Sequence, residues 1–144
     1  MIVVDASVLA AALGDDGADG GEARSRLGGE ALAAPELIDL EVSSVLRRLL
    51  AAGRLPTRRA ELALSDLLAL PLRRVPHRPL MSRCWSLRDN LTTYDAAYVA
   101  LAEQLDVTLV TSDLRLSRAP GLRCKVEVLG RPHDPEAEGP PADR

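Results

Sequence analysis

Four acidic residues, Asp5, Glu41, Asp95 and Asp113, each stand where an apolar segment meets the start or the inner face of a predicted helix. Asp5 closes the run Met1-Ile-Val-Val-Asp5, and Asp113 closes Val107-Thr-Leu-Val-Thr-Ser-Asp113. Both runs are continuous and rich in β-branched residues, the pattern of short buried parallel strands. In an open parallel sheet, ligands collect outside the carboxyl ends of the strands, so two aspartates at two such ends point to one crevice. Carboxylates with no His or Cys beside them favour the hard ions Mg²⁺ or Mn²⁺. Gathered without a cation they would repel and raise one another's pKa values, so the ion is a structural as well as a chemical requirement.

Each acid also has a reading that needs no ion. Asp5 and Asp113 precede helical segments as N-caps do, and Asp95 follows Thr92 by three residues, as in a capping box with Asp for Glu. Glu41 is the harder case. Along Glu36–Leu50, steps of three and four join Ile38, Glu41, Val42, Val45 and Leu49 in one stripe, with Asp39, Arg47 and Arg48 elsewhere, so the stripe faces inward. A charged carboxylate there needs a partner, either a buried Arg or a divalent ion. Ser7 and Ser112 each adjoin one of the acids, either as hydrogen-bonding support for the ligands or as ordinary helix-start hydroxyls. Tyr94 and Tyr98, four apart, read as core. Arg47, Arg48, Arg83 and Arg88, with Arg73 and Arg74, are candidates for a phosphate path, most of them otherwise solvated surface.

Composition narrows the classes. A chain of 144 residues makes one domain able to bury its own core. Its apolar 47% contains no Phe, one Trp and two Tyr, too few stacking platforms for an RRM or OB-type strand binder. Cys84 and Cys124 lie far apart and His77 and His133 are isolated, so no zinc spacing exists. Two unpaired cysteines point to reduced thiols and a cytoplasmic protein. The apolar start, Ile2 to Leu13, lacks a positive leading region and is interrupted by Asp5, so export is not expected. No apolar run approaches the roughly 18 to 20 residues of a membrane span. The formal charge is −3, with four acids against two arginines from Arg131 onward. All the basic residues but Lys125 are Arg, which suits bidentate phosphate contact, although coding bias gives the same preference.

Organisation follows from the turn chemistry. Short helices are expected at 6–13 and 22–27 around a Gly14–Gly17 turn, with an extended piece at 31–34. Pro35 opens a helix over 36–52, ended by Gly53, and a second helix at 57–70 completes a hairpin. A strand at 72–75, helices at 79–91 and 92–105, the strand ending near Ser112, a short helix at 113–118 and a strand at 124–129 follow. Alternating strands and helices predict an α/β, three-layer α/β/α architecture with a mainly parallel sheet over residues 1–130. The segment 131–144, acidic and rich in Pro and Gly, is expected to be a disordered tail. Leu62, Leu64, Leu67, Leu68 and Leu70 give the hairpin more than one apolar face, for core, dimer or partner contact.

Val4-Asp-Ala-Ser-Val-Leu9, Glu41-Val-Ser-Ser-Val-Leu46, Tyr94-Asp-Ala-Ala-Tyr-Val-Ala-Leu-Ala102 and Leu109-Val-Thr-Ser-Asp113 resemble, in order and spacing, the successive signature segments of PIN domains, and most of all those of VapC toxins of bacterial toxin–antitoxin pairs. The resemblance covers about residues 1 to 130. By it the metal-site acids fall on Asp5, Glu41, Asp95 and Asp113, with Ser112 as polar companion of the last. It implies an Mg²⁺- or Mn²⁺-dependent endoribonuclease leaving a 5′-phosphate and a 3′-hydroxyl. It also implies a homodimer silenced by a small VapB-type antitoxin, which alone would touch DNA. Two other classes compete: a catalytically silent PIN-like interaction module, and an Asp-based phosphatase or phospho-switch. The latter wants a second acid near the first strand, where Ser7 stands, and a suitably placed Lys that Lys125 alone does not supply.

Overall fold

The computed structural model describes residues 1–130; the expected tail at 131–144 lies outside the described residues. Five strands, β1 (Ile2–Val4), β2 (Leu32–Pro35), β3 (Leu72–Val75), β4 (Leu109–Thr111) and β5 (Val126–Val128), form one sheet in the order β3-β2-β1-β4-β5. Every pairing is parallel. The helices are α1 (Ala6–Gly14), α2 (Ala18–Leu27), α3 (Ile38–Ala51), α4 (Thr57–Ala69), α5 (Met81–Ser86), α6 (Thr93–Leu105) and α7 (Leu114–Arg118). The α/β/α architecture is as expected. After β3 the chain returns across the sheet to lay β4 on the far side of β1, so the winding direction reverses between β1 and β4. Asp5 and Asp113 follow those two strands.

The core explains the helix that carries Asp95. Ala96 to Ala102 of α6 are all buried, as a helix apolar on every side must be, and α6 packs on β1, β2 and β4. Its four alanines let the backbone lie close to Val3, Val4, Leu109 and Val110, which are fully buried. Its first turn therefore ends up beside the carboxyl ends of β1 and β4.

Three boundaries differ from expectation. Pro35 does not open a helix: it is the last residue of β2, paired with Val75, and the Glu36 N–H still bonds the Val75 carbonyl at 2.9 Å. Sheet pairing thus claims the segment first, and α3 starts at Ile38. Next, α2 begins at Ala18, ahead of the expected Glu22, because Gly20 tolerates a contact no other residue could. A Cβ there would collide with the Asp15 carbonyl at the end of α1. Finally, the expected helix 79–91 is a 3₁₀ turn at Arg78–Leu80 followed by the six-residue α5. The Arg88 guanidinium donates to the Trp85 carbonyl at 2.9 Å and closes the end.

Candidate metal centre

A crevice of about 510 Å³ opens at the switch between β1 and β4, and Asp5, Glu41, Asp95 and Asp113 all line it. A larger hollow, about 770 Å³, lies near the start of β2 and β3, with walls from Leu9, Leu13, Leu27 and Leu70; none of the four acids reaches it. The chemistry sits with the smaller one.

Asp5 does two jobs. Its Oδ1 caps α1, accepting from the N–H groups of Ser7 (3.1 Å) and Val8 (3.2 Å) and from Ser7 Oγ at 2.5 Å. Its Oδ2 takes the hydroxyl of Thr111. Burial pushes the Asp5 carboxyl upward, and hydrogen bonds from Ser7, Thr111 and Val8 offset only part of that. Oδ2, with one donor, keeps a lone pair free.

Glu41 lies at the edge of the buried stripe, half in the crevice, while Ile38, Val42 and Leu46 form the stripe itself. Its partner within the chain is not a buried Arg: Tyr98 donates its hydroxyl to Oε1 at 2.9 Å. Burial raises the Glu41 pKa, the Tyr98 bond lowers it, and the nearby charges of Asp95 and Asp5 raise it further. Tyr98, desolvated and facing Glu41, is held far above the usual tyrosine range and stays a donor. An ion pair fixes how α3 presents Glu41, because Arg74 grips Asp39 at 2.8 and 3.0 Å and the Leu67 carbonyl at 2.8 Å. Arg74 is thus occupied in bracing.

Asp95 enters on the first turn of α6, where Thr92 caps its N–H at 3.2 Å, and among the described residues its carboxylate accepts no hydrogen bond. Half of a capping box forms, and the side chain is left for the crevice. Asp113 caps α7 through the Arg115 N–H at 2.9 Å and meets the Arg115 guanidinium at 3.2 and 3.3 Å. Burial pushes its carboxyl up, yet the bonds and charge of Arg115 outweigh that and hold it below the ordinary value.

The residue that links the two strand ends is one the sequence reading passed over. Thr111 is fully buried, donates to Asp5 and accepts the Asp113 N–H at 3.0 Å. Ser112 was expected beside Asp113. Instead its N–H donates to Ser7 Oγ at 3.2 Å, and the residue lines a different hollow with Val8 and Asp15. Thr111 ends β4 with its side chain buried, whereas Ser112 lies just past the strand and is exposed. Ser7 takes the expected place, on Asp5. Tyr94, read as core, is 64% exposed and lines the crevice.

Of the arginines, Arg48 lines the crevice and Arg47 is exposed. Arg83 is committed elsewhere, bonded to Glu103 at 2.7 and 3.1 Å and to the Gly121 carbonyl at 2.7 Å. Arg88 lies 5.0 Å over the Trp85 ring.

Among the described residues no three of the acids are drawn into a closed ligand set. The donors fit Mg²⁺ or Mn²⁺ all the same. They are oxygens only, from four separate segments around one crevice, and two of them carry upward pKa pressure that a cation would relieve.

Comparison with known proteins identifies the scaffold that carries these acids. The family model for the PIN domain matches residues 2–122. Ribonuclease VapC9 of Mycobacterium tuberculosis is 45% identical over 131 residues, covering 91% of this chain and all of that protein. Ribonuclease VapC1 of the same organism is 43% identical over 128 residues, covering 88% and 96%. The crystal structure of VapBC2 from Rickettsia felis, bound to a DNA fragment from their promoter, superposes with a TM-score of 0.64 at 13% identity, over 89% of this chain and 98% of that one. The four-carboxylate crevice therefore stands on a recognised scaffold: this chain belongs to the PIN domain family and, within it, to the VapC proteins.

Proposed function

We propose that the protein is an Mg²⁺- or Mn²⁺-dependent endoribonuclease, the toxic partner of a VapBC pair, acting in the cytoplasm. The observation that carries this reading is the convergence of Asp5, Glu41, Asp95 and Asp113 on one crevice at the switch point of a parallel sheet. The names of its relatives, ribonucleases VapC9 and VapC1, support the substrate class. Asp5, Asp95 and Asp113, with Glu41, would hold the ion; bound there, it neutralises charge on the scissile phosphate and makes a water more acidic.

The chain's own residues do the rest. Tyr98 fixes one oxygen of Glu41 and leaves the other toward the crevice. A carboxylate not fully taken up by the ion, Glu41 or Asp95, would orient and deprotonate the attacking water. The water oxygen bonds to phosphorus, the P–O3′ bond breaks, and the products carry a 5′-phosphate and a 3′-hydroxyl. Thr111 keeps Asp5 and Asp113 in register across the two strands.

A VapB-type antitoxin and a second copy of the chain are the proposed partners, with DNA touched only through the antitoxin, in line with the promoter fragment in the Rickettsia complex. Leu40, Leu62 and Leu68, each more than half exposed, give such partners apolar surface on α3 and α4. The test is cleavage of RNA by protein freed of any antitoxin. Activity with Mg²⁺ or Mn²⁺, loss in EDTA and loss in Asp95→Asn are expected. Undiminished cutting by that variant would refute the assignment.

A further inference from the structure

Two hollows meet at the carboxylates. Beside the main crevice lies a smaller one, about 210 Å³, and Asp95 and Asp113 belong to the walls of both. Each hollow carries one cation on its wall, Arg48 of α3 in the larger and Arg115 of α7 in the smaller. The acids thus lie between two arginines.

Among the described residues Arg115 has no bracing duty. Arg26, Arg59, Arg74 and Arg83 each tie distant parts of the chain through carboxylates. Among the described residues Arg115 reaches only Asp113, two residues away, through long contacts, and its side chain is 92% exposed. A guanidinium so placed keeps most of its donors for something that arrives, and its fork matches phosphate oxygens. On the wall of the larger crevice, which Arg48 also lines, Tyr94 presents an exposed aromatic ring. A ring there can stack on an unpaired base, which a duplex keeps inside its own stack.

We propose that a single RNA strand crosses the carboxylates from Arg48 to Arg115, each arginine gripping a phosphate that flanks the reacting one, with an unpaired base stacked on Tyr94. This rests on the nuclease reading and adds the strand's path.

The test is binding, measured apart from cleavage. A labelled single-stranded RNA oligonucleotide is titrated in EDTA onto the Asp95→Asn protein, alone and with Arg115→Gln, Arg115→Lys, Tyr94→Leu or Arg58→Gln added, over a range of salt. Arg115→Gln is expected to weaken binding several-fold and to lower the salt slope by about 0.7, the value for one lost single-strand phosphate contact. Arg115→Lys should keep the slope. Tyr94→Leu should cost unpaired RNA about fivefold or more while leaving a duplex of the same sequence unaffected, and the remote Arg58→Gln should change neither. An unchanged slope in Arg115→Gln, or an equal loss in Arg58→Gln, overturns the path. If instead Arg115 only competes with the ion for Asp113, Arg115→Gln will tighten Mn²⁺ binding and leave RNA affinity alone, which also overturns it. Wild-type protein that cuts RNA while the slopes stay equal removes the path and leaves the nuclease; the predicted slopes without any cleavage do the reverse.

Discussion

Asp5 and Asp95 face the same crevice but differ in what else they hold. Asp5 caps α1 and takes the Thr111 hydroxyl, whereas the carboxylate of Asp95 accepts nothing among the described residues. Asp5→Ala should therefore cost about 1 kcal/mol for the cap and about 1–3 kcal/mol more for the stranded buried hydroxyl of Thr111. Asp95→Asn should stay within about 0.5 kcal/mol of wild type. Both should abolish cleavage, so urea unfolding is the measurement that separates them, and equal stabilities would show that the Asp5 bonds contribute nothing net. The acids themselves were legible in the sequence because each breaks an apolar pattern. Thr111 was not, since a β-branched residue in a strand looks like any other until the strand beside it is known. Tyr94 was misread for a related reason: Tyr94 and Tyr98 lie on one side of α6, but only Tyr98 reaches deep enough to be buried.

At the level of elements, Glu103 ties three pieces together. It takes Arg83 of α5 at 2.7 and 3.1 Å and the Arg123 N–H at 2.8 Å, while itself belonging to α6. Burial pushes its carboxyl up, but Arg83 and Arg123 outweigh burial and the net shift is downward. A carboxylate with a depressed folded pKa adds stability above its unfolded value, near 4.5, and that contribution disappears as pH falls through the lower folded value. Glu103→Gln should accordingly destabilise the protein by about 1–3 kcal/mol at pH 7 and by much less near pH 3, as read from thermal melts at the two pH values. A difference independent of pH would show that the carboxylate's charge plays no part. The same contact shows why a phosphate role for Arg83 could not be judged from sequence: Arg83 and Glu103 are 20 residues apart and meet only after α5 folds onto α6. Strand positions were readable from local composition, and so was the parallel sheet. Boundaries set by a neighbour were not, as Pro35 beside Val75 and Gly20 against Asp15 demonstrate.

The whole molecule brings like charges together at the point where its sheet reverses direction. That placement opposes folding unless a cation compensates, because Asp5 and Glu41 are both pushed toward their neutral forms by burial, and Glu41 further by its acidic neighbours. The unfolded chain scatters the four acids over more than a hundred residues of sequence and cannot gather them round one ion. Mn²⁺ should therefore stabilise the folded state by mass action, about 2.7 kcal/mol at a hundred times its Kd, seen as a rise in Tm of several degrees. EDTA should reverse the rise, and Asp95→Asn should remove it while leaving the metal-free Tm nearly in place. An equal Mn²⁺ response in Asp95→Asn would locate the ion outside the crevice, and the four-carboxylate centre would then lose its chemical basis.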